Sequence, residues 1–319
     1  MNKDDIGLNV HITTDPQQIS LGQELGIGWA RIDVNWDGIE VSKNHFRWTE
    51  LDSAVQQWEL AGVNLFATIA YSPGWANGNK PRTAPPVNAS DYADFVTQAV
   101  RRYQGKIAYW GVWNEPNLTA YYTGSLEDYI DKILIPGANA IHAADSTAKV
   151  AGPELSHAGN FRDSYFWYHW MTTILSREGQ RLDVITHHIY KDPTSLELWR
   201  RLDGFVFPYW EGKNLQATLR DCGVADKPLW LTEIGWKSNA GGTTTQADNY
   251  AKFFDGMQAR DWIAKVFFYE LIDVDGFPDQ WGLITADCQK KPAYQVVQDR
   301  LQALDLDAGM SAVRTHRAA

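Results

Sequence analysis

The sequence predicts a single α/β domain folded as a (β/α)8 TIM barrel, and three observations lead to this prediction. Eight short runs rich in Val, Ile, Leu, Phe, Trp and Tyr alternate with longer amphipathic stretches. Several of these runs are almost continuously apolar, as expected of parallel strands that are buried on both faces. The length of 319 residues suits one closed barrel. A doubly wound open sheet is the alternative fold, but no glycine-rich phosphate turn follows the first strand.

Each predicted element follows from hydrophobic periodicity and from its flanking residues. The predicted strands are Ile6–Ile12, Trp29–Trp36, Val63–Tyr71, Ile107–Asn114, Lys149–Leu155, Asp183–Tyr190, Leu229–Ile234 and Lys265–Leu271. The predicted helices are Pro16–Leu25, Thr49–Ala61, Asp91–Tyr103 with Ser90 as N-cap, Leu126–Ala144, Asp163–Arg177, Gln246–Ala259 and Ala293–Leu304, with one or two more between 192 and 222. The catalytic barrel is thus expected to occupy residues 1–304, followed by a flexible C-terminal tail over 305–319.

Composition and charge exclude several classes of partner. The chain is 44% hydrophobic and carries a formal net charge of −10, so phosphate backbones and anionic membrane surfaces are poor partners. The sequence contains no stretch of 18 or more apolar residues, so we expect no membrane insertion. Two cysteines, Cys222 and Cys288, cannot build a disulfide framework, and we expect free thiols. The N-terminus leads directly into a strand and leaves no room for a signal peptide, so we expect a secreted or periplasmic protein if a signal has been removed and a cytoplasmic one otherwise. The oligomeric state stays open.

Two glutamates lie at the carboxyl ends of predicted strands, where barrel enzymes carry their catalytic groups. Strand four ends in Trp113-Asn114-Glu115-Pro116, and strand seven ends in Thr232-Glu233-Ile234. Each glutamate alone is equally well explained by a structural ion pair. Together they can point across one barrel mouth, where a separation of about 5–5.5 Å lets one carboxylate attack an anomeric carbon while the other protonates the leaving group.

These two motifs, the second extended to Thr232-Glu233-Ile234-Gly235-Trp236, resemble those of clan A of the glycoside hydrolases, which are retaining β-glycosidases on α/β barrels. Within the clan, the chain is most similar to family 39 and its relatives, which include β-xylosidases and exopolysaccharide hydrolases. The resemblance implies that Glu115 is the acid/base and Glu233 the nucleophile. It also implies that Asn114 binds the sugar 2-hydroxyl and that Arg31 keeps the nucleophile ionised. In Thr186-His187-His188-Ile189-Tyr190, we expect Tyr190 to contact Glu233 and His188 to lie in the surrounding shell.

Aromatic residues are abundant, with 15 Trp, 14 Tyr and 12 Phe, and their rings can stack on pyranose faces. We expect sugar contacts from Trp36, Trp75, Trp236 and Trp281, which fall at or just past strand ends; ordinary burial is the alternative for each. Strand eight departs from the clan, which often has a Trp there, because it reads Phe268-Tyr269-Glu270. Glu270 is expected to bind a hydroxyl or to pair with a base, while Trp281 replaces the missing ring.

The predicted function is therefore retaining β-glycoside hydrolysis with a carbohydrate substrate, in polysaccharide degradation. Endo action on a β-linked polysaccharide or exopolysaccharide is preferred, because the barrel leaves no room in this sequence for the β-sandwich of exo-acting family 39 xylosidases. An exo-acting β-xylosidase or β-glucosidase and a non-catalytic carbohydrate-binding barrel are the alternatives. No cofactor is expected. No metal is expected either, since His11 stands alone and the adjacent His187 and His188 point to opposite faces.

Overall fold

Eight parallel strands form a closed barrel in the computed structural model, which describes residues 2–317 and the side chains of residues 2–306. The strands are β1 (Ile6–Asn9), β2 (Trp29–Asn35), β3 (Asn64–Ala70), β4 (Ile107–Val112), β5 (Lys149–Ser156), β6 (Val184–His188), β7 (Leu229–Ile234) and β8 (Ile263–Phe268). Each strand pairs with the next in sequence, and β8 pairs with β1 to close the barrel. The predicted fold and all eight predicted strands are confirmed, with ends that differ by a few residues.

Helices cover the outside of the barrel between successive strands. The principal helices are Pro16–Leu25, Thr49–Leu60, Ala89–Arg102, Leu126–Tyr129, the π-helical turn Ile130–Leu134, Ile135–Ala144, Trp167–Glu178, Glu197–Leu202, Pro208–Glu211, Leu215–Asp221, Thr243–Met257 and Pro292–Arg317. Within 192–222 there are three short helices rather than one or two. The helix expected to follow Ser90 begins at Ala89 instead, after Asn88, so the prediction that Ser90 is its N-cap was wrong.

The last helix bears on the prediction of a flexible C-terminal tail. The helix runs through residues 305–317 of the predicted tail; the flexibility of this stretch stays a prediction, and residues 318–319 lie outside the described residues.

Cys222 and Cys288 are both free thiols. In the part of the chain that the structure describes, none of the helices combines the length and apolar character needed to cross a membrane.

One element was not predicted: a small antiparallel hairpin, Glu40–Ser42 with His45–Phe46, which follows β2. The buried carboxylate of Glu40 stabilises it by accepting hydrogen bonds from the Trp36 indole and the Asn44 amide, each at 2.7 Å. Trp36 is thereby committed to holding the hairpin in place.

Alternate residues of each strand point into the barrel. On β2 these are Trp29, Arg31, Asp33 and Asn35. Trp29 belongs to an aromatic floor that also contains Phe66, Tyr109, Trp230 and Phe267. Gly7 of β1 has no room for a side chain, because a Cβ there would lie 2.5 Å from the Phe267 ring. The floor fills the amino end of the barrel, while Arg31, Asp33 and Asn35 lie nearer the carboxyl end and line a cavity there.

Candidate active site

The carboxylates of Glu115 and Glu233 come together in a cavity of about 370 Å³ at the carboxyl end of the barrel. One oxygen from each carboxylate lies within 4.8 Å of the other. His188 lies between them, with Nδ1 3.0 Å from Glu115 Oε1 and 3.4 Å from Glu233 Oε2. This approach matches the carboxyl separation of about 5–5.5 Å in retaining glycosidases better than the roughly 6.5–9.5 Å of inverting ones.

The chain turns sharply where β4 delivers Glu115 to the cavity. Trp113 and Glu115 both adopt left-handed backbone conformations, with φ of 72° and 42°. Such conformations cost about 1–3 kcal/mol each for residues with side chains and persist only where the surroundings enforce them. Here the Glu115 amide donates to the Glu154 carbonyl at 3.0 Å, and the Trp113 indole donates to the Tyr121 carbonyl at 3.0 Å. Hydrogen bonds on both sides therefore hold the turn in this conformation.

Arg31 connects the nucleophile candidate to the rest of the site. Its guanidinium is buried and donates to Glu233 Oε1 at 2.8 Å, to Asn114 Oδ1 at 2.9 Å and to Glu154 Oε2 at 2.6 Å. Burial disfavours the charged guanidinium, but Glu154 and Glu233 outweigh this and raise the pKa of Arg31. Arg31 and Asn114 thus both lie at the cavity, joined to each other and, through Arg31, to Glu233.

Glu154 at the end of β5 is a site residue that the sequence reasoning missed. It is fully buried, has a left-handed backbone with φ of 56°, and accepts from Arg31 and from His188 Nε2 at 3.2 Å. Burial alone would raise the pKa of Glu154, but Arg31 and His188 together hold it below the usual range of a glutamate. A glutamate inside the apolar strand run Ala151-Gly152-Pro153-Glu154-Leu155 was the available signal, since a buried carboxylate requires a partner.

The charges around Glu233 differ from those around Glu115. Burial lowers the pKa of His188, but Glu233, Glu115 and Glu154 raise it to about 9, so His188 is an imidazolium at neutral pH. Burial raises the pKa of Glu233, and the nearby Glu115 carboxylate adds to the rise. His188, Arg31 and the Tyr190 hydroxyl, which donates to Glu233 Oε2 at 2.6 Å, oppose that rise. The net result is a raised pKa for Glu233. Among the described side chains, Arg31, His188 and Tyr190 contact the Glu233 carboxylate, whereas His188 alone contacts that of Glu115.

Aromatic rings form much of the cavity wall. They are Tyr71, Tyr121, Tyr190, Tyr269, Phe277 and Trp281. Trp281 contacts Tyr190 edge-on, with ring centroids 4.9 Å apart, and Tyr269 at 5.9 Å. Trp281 and Tyr190 are therefore placed as expected. Tyr71, Tyr269 and Phe277 were not singled out, although Tyr269 brings a ring to the end of β8, where the sequence lacks the tryptophan of the clan.

Three tryptophans expected to contact sugar do not line this cavity, which corrects that expectation. Trp36 is fully buried and donates to the Glu40 carboxylate. Trp75 donates to the Glu40 carbonyl at 2.8 Å. Trp236 is buried and donates to the Lys191 carbonyl at 2.9 Å. A position just past a strand end does not fix the direction of a ring, and these indoles satisfy their N–H groups within the protein.

Glu270 also lies behind the cavity wall rather than in it. It is buried and pairs with His11 Nε2 at 2.7 Å, while His11 Nδ1 lies 2.8 Å from Asp33 Oδ2. Burial lowers the pKa of His11, but Asp33 and Glu270 raise it to about 10. Of the two roles considered for Glu270, the structure therefore favours pairing with a base. His11 and Asp33 line the cavity and were missed, although Asp33 lies two residues from Arg31 on one strand.

Glu115, His188 and Glu233 also form the one cluster, within the described residues, whose ligand atoms are close enough to hold a metal ion. Metal binding by histidine needs a neutral ring with a free nitrogen. His188 is charged at neutral pH, and its two nitrogens face Glu115 and Glu154. Both His188 nitrogens are thus paired with carboxylates of the site itself. The adjacent His187 points away and pairs with His157 at 2.9 Å.

Comparisons with known proteins show that this chain is similar to several glycoside hydrolases. No family model matches the chain. A β-xylosidase from Caldicellulosiruptor saccharolyticus is 26% identical over 189 residues, which cover 53% of this chain and 36% of that protein. A family 39 glycoside hydrolase from the gut symbiont Bacteroides cellulosilyticus WH2 superimposes with a TM-score of 0.75 at 20% identity, covering 94% of this chain and 64% of that chain. Xylanase 10B from Thermotoga maritima superimposes with a TM-score of 0.67 at 16% identity, covering 94% and 96%.

The chain thus spans 36% of the length of the β-xylosidase and 64% of the family 39 structure. At these identities the structural similarity establishes the barrel fold. The similar proteins are O-glycosyl hydrolases, the enzyme class that the sequence motifs predict. The resemblance to clan A of the glycoside hydrolases, with family 39 among the similar structures, is confirmed.

Proposed function

We propose that this protein hydrolyses β-glycosides with retention of configuration, with Glu233 as nucleophile and Glu115 as acid/base. The observation that supports this most strongly is the pair of buried carboxylates, with oxygens within 4.8 Å of each other at one solvent-open cavity. Their unequal surroundings support the assignment of roles. A nucleophile must be ionised to attack, and Arg31, His188 and Tyr190 all favour the charged form of Glu233.

The reaction has two steps. In the first, Glu233 attacks the anomeric carbon while Glu115 donates its proton to the departing glycosidic oxygen, leaving a covalent glycosyl-enzyme. In the second, Glu115 takes a proton from water, and the resulting hydroxide displaces Glu233 from the sugar. Arg31 orients Asn114 through its Oδ1, and Asn114 Nδ2 donates one hydrogen to the Tyr71 hydroxyl at 3.5 Å. Its second hydrogen can donate to the sugar 2-hydroxyl, a contact that strengthens in the transition state.

Endo action on a β-linked polysaccharide is our preferred reading of the substrate. Asn35 lies in the wall of the catalytic cavity and also in the wall of a second cavity of about 560 Å³. The second cavity lies beside the hairpin and includes Phe46 and Trp48. Two adjoining cavities fit a saccharide chain better than a single sugar. Exo action on β-xylosides is the second candidate, favoured by the similarity to a β-xylosidase.

Hydrolysis assays test both parts of this proposal. The wild type should release nitrophenol from an aryl β-xyloside or β-glucoside, and Glu233→Ala should abolish the release. Leu60→Ala is the matched control, because Leu60 is 79% exposed on a helix outside the cavity. Activity retained in Glu233→Ala would overturn the assignment, and binding without any hydrolysis by the wild type would favour a non-catalytic barrel. Mass spectrometry of products from xylan, β-glucan and mannan should give a ladder of oligosaccharides; only single sugars would indicate exo action.

A further inference from the structure

Exposed aromatic rings occur in the connections that follow four of the barrel strands. Among the described side chains, every exposed phenylalanine, tyrosine and tryptophan lies in a connection that follows a barrel strand, either in a loop or in the short helix Pro208–Glu211. These residues are Tyr121 after β4, Phe161 and Tyr165 after β5, Phe205, Phe207, Tyr209 and Trp210 in the β6–β7 connection, and Phe277 after β8. Exposed apolar groups of this size usually mark a binding surface. Two of them, Tyr121 and Phe277, also line the catalytic cavity.

Three of these rings form a compact surface, here called the aromatic platform: Phe161, Tyr209 and Trp210. The Phe161 ring centroid lies 5.0 Å from those of both Tyr209 and Trp210. The Phe161 amide donates to the Trp210 carbonyl at 3.3 Å, which ties the two loops together. The exposed fractions are 39% for Phe161, 82% for Tyr209 and 42% for Trp210. The three rings are therefore partly open to solvent and are held near one another by contacts between the two segments.

Arg162 adds polar donors to the edge of the aromatic platform. Its guanidinium carbon lies 5.4 Å from the Phe161 ring centroid and 5.1 Å from that of Trp210. Within residues 2–306, no carboxylate pairs with this side chain. The rings hold the guanidinium in place while its N–H groups stay available to a ligand. Stacking faces beside free hydrogen-bond donors are the combination that binds a pyranose, whose C–H face is apolar and whose hydroxyls lie around the rim.

The aromatic platform is attached to the loop that carries the acid/base. Asn117, two residues beyond Glu115, donates through Nδ2 to the carbonyls of Ser156 at 2.9 Å and Tyr165 at 3.0 Å. The loop bearing Phe161 is therefore bound on both flanks to the chain that positions Glu115. Because Glu115 protonates the departing oxygen in the proposed reaction, this loop belongs to the leaving-group side of the site.

The opposite wall of the cavity comes from other strands. His11, Asp33, Tyr269 and Trp281 follow or end β1, β2 and β8. Loops after β5 and β6 contribute only Tyr190 to the cavity lining. The aromatic platform thus lies outside the cavity lining and is joined to the site through the loop that positions Glu115.

We propose that Phe161, Tyr209 and Trp210, with Arg162, form a subsite that binds a sugar unit on the leaving-group side of a β-linked saccharide chain. This inference rests on the proposed function, since it takes its direction from the role of Glu115. The alternative occupant of such a surface is a protein, either a partner or a second copy of the chain. The attachment to the acid/base loop and the free donors of Arg162 favour a saccharide.

The test compares a short substrate with a long one. Tyr209→Ala and the triple variant Phe161→Ala/Tyr209→Ala/Trp210→Ala are assayed on an aryl β-glycoside, whose leaving group ends before the aromatic platform, and on the polysaccharide that the wild type cleaves fastest. Leu60→Ala is the control. We expect kcat/KM on the polysaccharide to fall about tenfold or more in the triple variant, since three stacking contacts are lost together. On the aryl glycoside it should change less than twofold.

Equal kcat/KM for the wild type and the triple variant on the polysaccharide would overturn the inference and leave the proposed function intact. An equal loss on both substrates would also overturn it, because the rings would then act through the fold. The single variant Tyr209→Ala provides a second test in case the triple variant misfolds, since the Tyr209 side chain is largely exposed. A change in oligomeric state caused by the triple variant, seen by light scattering, would identify a protein contact instead.

Binding provides a readout that does not depend on catalysis. Affinity electrophoresis through gels containing xylan, β-glucan or mannan compares Glu233→Gln with the same variant lacking the three rings. Stronger retardation of the form with intact rings would support the subsite even if the wild type hydrolysed nothing, in which case only the proposed function would fail. Identical retardation of the two forms in every gel would refute the subsite.

Discussion

Removal of one hydroxyl group, in Tyr190→Phe, probes the charge state of the nucleophile directly. This hydroxyl donates to Glu233 Oε2 at 2.6 Å, and the tyrosine stays neutral because burial and the nearby Glu233 carboxylate raise its pKa well above the usual value. A hydrogen bond to a charged group contributes about 1.5–3 kcal/mol, or roughly 10–150-fold in an equilibrium or rate. Arg31 and His188 still contact Glu233 in the variant, so we expect the lower end, about a tenfold fall in kcat/KM at neutral pH.

The pH dependence of kcat/KM should show the direction in which the Glu233 pKa moves in this variant. Without the hydroxyl, the charged form of Glu233 loses a partner and its pKa rises further. Glu233 must be ionised to attack, so the acid limb of kcat/KM on an aryl β-glycoside should move to higher pH, and the loss should be largest in acid. Tyr250→Phe is the control, because that buried hydroxyl has no hydrogen-bond partner in the described structure. An acid limb in Tyr190→Phe that coincides with the wild type would refute the reasoning.

Three further predictions follow from the same contacts. Arg31→Met should lower the free energy of unfolding by about 3–5 kcal/mol in denaturant titrations, because it leaves Glu154 buried without its guanidinium; an unchanged midpoint would contradict this. The His188 pKa is about 9, above the ordinary 6.5, so its stabilising contribution is complete below about pH 6.5 and is lost as the pH rises through about 9. The melting temperature of the wild type should therefore fall over that window relative to His188→Gln, and parallel curves would count against it. Trp281→Ala should raise KM with little change in melting temperature, because Trp281 lines the cavity. Trp36→Ala should lower the free energy of unfolding by about 3–5 kcal/mol, because the Trp36 indole lies in the hydrophobic core. The reverse pattern would contradict both assignments.

The barrel was predictable because its signal is repeated. Each strand is a short apolar run flanked by amphipathic helix, and eight repeats leave few other folds available. The hairpin Glu40–Ser42 with His45–Phe46 was not predictable in this way. Its strands are only a few residues long and mostly exposed, and its stability depends on the contact between Trp36 and Glu40, which periodicity cannot reveal. Short elements stabilised by a single tertiary contact carry no pattern of their own.

The site was predictable where a motif fixed the residue and its strand end, as for Glu115 and Glu233. It was not predictable where side-chain direction decides the outcome. Trp236 lies two residues beyond the end of β7, yet it does not line the cavity and its indole donates to the Lys191 carbonyl. Glu154 was missed for a different reason, since its partners Arg31 and His188 come from strands distant in sequence. Buried charge networks arise from contacts across the barrel, and a single sequence shows only their separate members.

The stereochemistry of azide products tests the division of roles between the two carboxylates most directly. In Glu233→Ala, azide can enter the space left by the nucleophile and should yield the α-glycosyl azide from an aryl β-glycoside. In Glu115→Ala, the glycosyl-enzyme on Glu233 still forms with an activated leaving group, and azide should then yield the β-glycosyl azide. We predict this pair of products by proton NMR. The opposite pair, or the same anomer from both variants, would contradict the assignment of Glu233 as nucleophile and Glu115 as acid/base.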